Sequence, residues 1–176
     1  FDFSVLARGE AGVLRIVGNL PYNISTPLLF HLATYAESIR DMHFMLQKEV
    51  VARMAAAPDT PDYGRLSVML QYRFVDPLFD VPPGAFAPAP KVDSTVVRLI
   101  PRPTADLTAL NAEKLAEIVA AAFSQRRKML RNTLSAYFSE ADWARLAIAP
   151  TARAEMLTVE EYVYLANALA GEMIAT

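Results

Sequence analysis

The chain has 176 residues, 53% of them hydrophobic, a formal net charge of −2 and no cysteine. A chain of this length and composition can bury a substantial core, as one domain or as one domain with a small second one. Its slight negative charge excludes a uniformly basic nucleic-acid binder, and the lack of cysteine excludes disulfides, thiol nucleophiles and thiolate metal sites.

The histidines and the apolar runs indicate neither a metalloprotein nor a membrane protein. His31 lies in a helical pattern and His43 in a strand pattern, which favours packed or surface histidines, and we expect no metal site. No apolar run is long enough to span a bilayer and no signal-peptide pattern is present, so we expect a cytoplasmic protein with no membrane partner.

The first predicted strand ends at an unusual turn. Residues 13–18 form an apolar run typical of a buried parallel strand, and the turn Asn19-Leu20-Pro21-Tyr22 follows it. A helical pattern starts near Ile24, with Ser25 as its predicted N-cap and Pro27 in its first turn. Open α/β sheets bind ligands at such carboxyl ends of strands, so this turn is the first candidate site.

The residue types of this turn suit alkylation of an exocyclic amine. An aromatic amine shares its lone pair with the ring, and the Asn19 side-chain oxygen and the Leu20 main-chain carbonyl could each accept one N–H and reorient it. Pro21 stiffens the turn, and Tyr22 offers a face for stacking a base and for stabilising positive charge. The structural alternative is a turn in which Asn19 caps the helix and Tyr22 packs against it.

The α/β pattern continues to residue 100. Gln47-Lys48-Glu49 ends the second strand, and we interpret Lys48 and Glu49 as a solvated helix start, and Glu49 and Asp93 as structural hydrogen-bond partners rather than an acid/base pair. The later strands, joined by a proline-rich loop, predict an antiparallel pair that closes a mostly parallel sheet. The predicted strands are 43–46, 74–81 and 94–100, the helices 49–57 and 65–72, and the loops 58–64 and 82–90.

Composition changes at Pro101-Arg102-Pro103, which is a plausible linker. We therefore predict an α/β domain over residues 1–103 and a small all-α domain over 104–176. The predicted C-terminal helices cover 112–123, 128–138, 140–147 and 159–170, the last with Thr158 as N-cap.

One segment of the second domain is strongly basic. Arg126, Arg127, Lys128 and Arg131 have no acidic residue among them, although exposed helices usually alternate both signs of charge. Arg127 and Lys128 are four and three positions before Arg131, so we predict that these three share one face at the start of a helix. Such a cluster is a candidate for phosphate contacts. A solvated helix face is the alternative.

Four segments in this order resemble bacterial small-subunit ribosomal RNA adenine dimethyltransferases, the kasugamycin-sensitivity methyltransferases of the rRNA adenine dimethylase family. The resemblance extends over essentially the whole chain. The segments are NLPYNIST at 19–26, MLQKEVVARM at 45–54, YGRLSVMLQY at 63–72 and PPGAFAPAPKVDSTVVRL at 82–99.

The resemblance implies a Rossmann-like class I methyltransferase domain and transfer of methyl groups from S-adenosylmethionine. The implied product is N6,N6-dimethyladenine at two adjacent adenines in a loop near the 3′ end of small-subunit rRNA, in the context of ribosome assembly. The implied partner is small-subunit rRNA or the immature small subunit, and we expect a monomer.

The resemblance also implies roles for particular residues. Asn19, Leu20, Pro21 and Tyr22 would form the catalytic turn, with Phe86 opposite Tyr22 to clamp the flipped adenine and Asn19 bordering the cofactor. Phe86 could otherwise anchor its loop in the core. Lys91 would contact a phosphate, with a solvated lysine as the alternative, and the basic segment would bind rRNA.

The sequence contains no GxGxG motif and starts at Phe1, and the family's glycine-rich cofactor loop would precede it. We expect an incomplete chain that by itself binds S-adenosylmethionine negligibly and transfers no methyl groups, which a calorimetric titration can test. Two alternatives are a resistance-type dimethylase of large-subunit rRNA and a non-catalytic assembly factor that only binds RNA.

Overall fold

In the computed structural model, the described residues are 2–21, 23–74, 77–81 and 92–171, with the backbone alone for 77–80. The chain divides into two compact units, Phe1–Ala55 with Leu70–Leu107 and Ala56–Met69 with Thr108–Thr176. The second unit therefore includes a segment that precedes the last two strands in the chain. The predicted boundary near residue 103 stays a prediction.

The first unit contains a mixed four-stranded sheet. Its strand order is β1-β2-β4-β3, in which β1 and β2 are parallel and the other two pairings are antiparallel. The predicted antiparallel pair at the end of the sheet is thus present. The strands are β1 (Leu14–Asn19), β2 (Ile39–Gln47), β3 (Pro77–Val81) and β4 (Ser94–Leu99).

Helices connect these strands, and their apolar residues complete the core of the unit. Leu29 and Leu32 of α2 and Phe44 of β2 are almost fully buried, as the apolar patterns of their segments predict. The helices are α1 (Ser4–Ala7), α2 (Ser25–Ala33), α3 (Lys48–Ala55) and α4 (Arg65–Arg73), the last of which begins in the segment that belongs to the second unit.

The predicted N-cap of α2 is wrong by one residue. Ile24 is the cap residue, because its carbonyl accepts the first helical hydrogen bond, from the Leu28 N–H at 2.9 Å. Its apolar side chain makes no capping bond. Ser25 is therefore the first helical residue, and it is buried.

The second unit consists of helices and turns. The predicted helix 128–138 is shorter than expected, since α6 covers only Leu130–Thr133, and α7 likewise ends at Trp143. Thr158 does cap the last helix, as predicted, and forms a capping box with Glu161. The helices are α5 (Ala112–Ala122), α6, α7 (Glu140–Trp143) and α8 (Val159–Leu169).

Candidate functional site

The end of β1 holds the Asn-Leu-Pro turn in a defined conformation. Asn19 is the last residue of β1 and lies opposite Met45 of β2. The Leu20 N–H donates to the Met45 carbonyl at 3.2 Å, and the Pro21 carbonyl accepts from the Ile24 N–H at 3.2 Å. The turn is therefore fixed on one side by the sheet and on the other by the start of α2.

Two acceptors of this turn have no donor among the described residues. The Asn19 side chain is exposed, and no described residue donates to its amide oxygen or to the Leu20 carbonyl oxygen. The Leu20 side chain is only 8% exposed, which anchors the peptide unit that carries this carbonyl. The two predicted acceptors are consecutive residues at the carboxyl end of a strand, where open α/β sheets bind ligands.

Tyr22, Phe86 and Lys91 lie outside the described residues. Their predicted roles in base stacking and phosphate contact stay predictions.

The basic segment has a different conformation from the one predicted. Arg126 and Arg127 lie in a turn and Lys128 in a bend between α5 and α6, so that only Arg131 is helical. The prediction of a shared helix face is wrong. The backbone N–H groups of Leu130 and Arg131 donate to the carbonyls of Ala152 and Pro150, so the helix begins later than predicted. We call residues 125–131 the basic turn.

The charges of the basic turn are accessible. Arg126, Arg127, Lys128 and Arg131 are exposed, and none of them forms an ion pair with a described residue. The Arg126 guanidinium donates a hydrogen bond to the Pro61 carbonyl, which connects the basic turn to the segment Ala56–Met69 of the same unit. The remaining donors face no acceptor in the described part of the chain.

Arg153 is an exposed cation that pairs with the basic turn, and the sequence analysis missed it. A β-bridge pairs Met129 with Arg153, and the hydrogen bonds from Leu130 and Arg131 continue this contact along residues 150–153. Arg153 is exposed, and the bridge places it opposite Met129 of the basic turn. No local pattern indicates this pairing, because the two segments are far apart in the chain.

Arg15 and Asp41 form an ion pair that the sequence analysis also missed. The Arg15 Nε and Nη2 atoms donate to the two carboxylate oxygens of Asp41 at 2.7 and 2.8 Å. The Arg15 guanidinium, with His43 nearby, holds the pKa of the Asp41 carboxyl below its usual range. The pair joins β1 to β2 near the opposite end of β1 from Asn19, and we assign it to stability rather than to chemistry.

The described residues give no indication of other chemistry. They contain no group of three His, Asp or Glu side chains that could hold a metal ion. No helix in the described part of the chain is long and apolar enough to cross a bilayer.

The sheet, its helices and the strand-end turn define a Rossmann-like methyltransferase fold. The fold is similar to the crystal structure of a dimethyladenosine transferase from Plasmodium falciparum, with a TM-score of 0.71, 23% identity and coverage of 89% of this chain and 67% of that chain. It is also similar to the crystal structure of the 23S rRNA methyltransferase ErmE, with a TM-score of 0.60, 25% identity and coverage of 89% and 65%.

The family model for ribosomal RNA adenine dimethylases matches residues 8–171, and the chain belongs to this family. A ribosomal RNA small subunit methyltransferase A of Aromatoleum aromaticum is 60% identical over 173 residues, which are 98% of this chain and 64% of that protein. One of Dechloromonas aromatica is 58% identical over 170 residues, which are 96% of this chain and 65% of that protein. The chain thus spans slightly less than two thirds of the length of these relatives.

Proposed function

We propose that the protein methylates N6 of adenines in small-subunit rRNA, using S-adenosylmethionine, and that it dimethylates two adjacent adenines in a loop near the 3′ end. The observation that carries the proposal is the pair of acceptors at the end of β1, the Asn19 amide oxygen and the Leu20 carbonyl oxygen, to which no described residue donates. Identities near 60% to relatives named small subunit methyltransferases support the choice of substrate over large-subunit rRNA.

The two acceptors supply orientation. When each accepts one N–H of the adenine amine, the lone pair of the nitrogen turns away from the ring and becomes nucleophilic. Bound S-adenosylmethionine would supply an electrophilic methyl group, and the exposed Asn19 amide would border it with its N–H donors. The oriented nitrogen would accept that methyl group as the methyl–sulfur bond breaks, and the resulting aminium would lose its proton to water.

No general base is needed for this transfer, because a methylated aminium is acidic. The rate would come from positioning and from electrostatics around the amine. A second transfer is possible because the monomethylated amine keeps one N–H for one of the two acceptors. We propose that Tyr22 and Phe86 hold the base by stacking, which contributes about 1–3 kcal/mol for each stacked base.

The exposed cations of the second unit would hold the RNA backbone. We propose that Arg126, Arg127, Lys128 and Arg131 contact phosphates together with Arg153, and that Lys91 of the first unit separately contacts a phosphate. Such contacts position an RNA without distinguishing its sequence, so the choice of adenine would depend on the catalytic turn.

Substitution of Asn19 tests the proposed chemistry. We expect Asn19→Ala in the intact protein to lower methyl transfer to small-subunit rRNA by about 10²–10³-fold, with RNA binding changed only a few fold, because one acceptor is removed. Asn23→Ala, which changes an exposed asparagine of the same segment, is the control and should keep activity. Full activity of Asn19→Ala would contradict the mechanism, and transfer to large-subunit rRNA alone would contradict the substrate.

A further inference from the structure

A polar cleft opens near the Asn-Leu-Pro turn, where β2 passes into α3. The cleft has a volume of about 380 Å³ and is lined by Gln47, Lys48, Glu49, Val92 and Asp93. Its two walls are joined by a hydrogen bond from the Lys48 N–H to the Asp93 carbonyl at 2.9 Å. The volume is within the range of small-molecule binding sites and is large enough to admit a single base.

The position of the cleft follows from the strand register. Asn19 lies opposite Met45, and Gln47 is two residues further along the same neighbouring strand. Strand spacing and rise place Gln47 roughly 8 Å from Asn19. Both sites therefore lie at the same edge of the sheet, and one extended RNA strand can enter both.

The side chains that line the cleft favour a ligand that donates hydrogen bonds. The Glu49 and Asp93 carboxylates are exposed and form no hydrogen bond or ion pair with a described residue. Lys48 also lines the cleft and adds one positive charge, so charge alone does not select the ligand. The two carboxylates accept hydrogen bonds from the exocyclic amines of bases, which a phosphate lacks. The described residues provide no third metal ligand at this place.

The apolar part of the lining suits the flat face of a base. Val92 is 39% exposed and lies next to Asp93, so that an apolar surface and an acceptor belong to the same wall of the cleft. A base can contact the valine with its face while its amine donates to a carboxylate at the rim. Phosphate alone would gain neither interaction.

We infer that this cleft binds the base of an unpaired nucleotide adjacent to the target adenine, and that this base carries an exocyclic amine accepted by Glu49 and Asp93. The inference rests on the proposed function, because it presupposes that an RNA strand reaches the catalytic turn. It makes the neighbouring nucleotide a determinant of which adenine is selected.

The test uses an RNA hairpin with the target loop, in which each neighbour of the target adenosine is in turn adenosine or purine riboside. Purine riboside lacks only the amino group. At one of the two neighbouring positions, we expect replacement of adenosine by purine riboside to weaken binding by the unaltered intact protein about ten- to a hundredfold. This is the effect of removing a hydrogen bond to a charged group. The double variant Glu49→Ala, Asp93→Ala should bind the adenosine RNA as weakly as the unaltered protein binds the purine-riboside RNA. It should no longer distinguish the adenosine RNA from the purine-riboside RNA.

Asp106→Ala is the matched control, since Asp106 is exposed in the same unit and does not line the cleft. It should distinguish the two RNAs as well as the unaltered protein does. The inference would be overturned if the Glu49→Ala, Asp93→Ala protein still distinguished the adenosine RNA from the purine-riboside RNA. It would also be overturned if the unaltered protein did not distinguish them. Methyl transfer is measured in the same samples: its absence with discrimination intact would overturn the proposed function alone.

Discussion

The Arg15–Asp41 pair shows how a single charge contact can join two strands. The Asp41 side chain is 5% exposed, while that of Arg15 is 57% exposed, so the carboxylate is buried and the guanidinium remains partly in water. The two hydrogen bonds satisfy both carboxylate oxygens, which compensates for the loss of their hydration. His43 approaches the same carboxylate, with Nδ1 3.6 Å from Oδ1.

This pair predicts a dependence of stability on pH. Arg15 lowers the pKa of Asp41 in the folded state, so the contribution of the pair is present above the unfolded-state pKa, about 3.9, and is lost as the pH falls through the lower folded value. We expect Asp41→Asn to destabilise the protein at pH 7 and to do so progressively less below about pH 4.

Urea unfolding at a series of pH values measures this effect. The difference in unfolding free energy between the unaltered protein and Asp41→Asn should shrink as the pH falls. Asp106→Asn is the control, because Asp106 is exposed and its side chain pairs with no described residue. A difference that stays constant from neutral pH to below about pH 4 would contradict the role of the ion pair.

Helix ends in the second unit depend on short polar contacts. Ser139 caps α7 through its bonds with Asp142, which together with Arg145 lower the pKa of Asp142 to about 2. Thr158 caps α8, accepting from the Glu161 N–H at 3.2 Å while its own N–H donates to the Glu161 carboxylate at 2.8 Å. Each reciprocal pair satisfies two backbone groups that the helix itself leaves without partners.

We predict that Thr158→Ala lowers the free energy of unfolding by about 1 kcal/mol, because one N-terminal N–H of α8 loses its acceptor. Thr158→Ser should restore most of the stability, since the hydroxyl is kept. Chemical denaturation of both variants measures the difference. Equal stability of the alanine and serine proteins would show that the capping bond contributes little.

The basic turn is the element in which conformation and charge act together. Its cations extend from a turn into the start of α6, and the bridge to Arg153 holds the turn against residues 150–153. The backbone contacts thus fix the spacing of charges that sequence periodicity alone would assign to a helix face.

Neutralising the basic turn should weaken RNA binding and its salt dependence. We expect glutamine at positions 126, 127, 128 and 131 to flatten the slope of log affinity against log salt by about 0.7–0.9 for each phosphate that the protein no longer neutralises. Filter binding over a range of salt concentrations measures the slope. Lys114→Gln, which removes a cation of α5 that is paired with Glu117, should leave it unchanged. An unaltered slope in the quadruple variant would show that these side chains are solvated and do not contact RNA phosphates.

At the scale of the whole molecule, the second unit incorporates a segment from the middle of the chain. Tyr63 is 1% exposed and donates from its hydroxyl to the Leu157 carbonyl at 2.8 Å, and its ring contacts Phe123 edge-on. Burial raises the pKa of Tyr63, so the hydroxyl stays protonated and remains a donor. The Asp59 N–H adds a bond to the Glu155 carbonyl at 2.7 Å.

We predict that Tyr63→Ala destabilises the protein by about 3–5 kcal/mol, as expected for removal of a buried aromatic side chain. Tyr63→Phe should cost about 1 kcal/mol, since only the hydrogen bond to Leu157 is removed. Denaturant unfolding measures both, with Tyr164→Phe as the control, because no described residue bonds with the Tyr164 hydroxyl. Stability near that of the unaltered protein for Tyr63→Ala would mean that Ala56–Met69 does not stabilise the second unit.

The sequence by itself determined the order of the elements, the family and the position of the candidate turn. These depend on information that is local in the chain: apolar periodicity, the Asn-Leu-Pro residues after a buried strand, and the cap at Thr158. Helix α5 and strand β4 lie within one or two residues of their predicted bounds for the same reason. Local patterns predict such features because hydrogen bonding and side-chain spacing within one element require them.

Only the tertiary structure decided the features that depend on distant partners. The Arg15–Asp41 pair joins residues 26 positions apart, and the Tyr63 bond joins residues 94 apart. The basic turn is not helical because its backbone bonds to residues 150–153, and the same pairing adds Arg153 to the surface. That no described residue donates to the acceptors of Asn19 and Leu20 also required the structure, because whether a polar group has a partner depends on the fold around it and not on its neighbours in sequence.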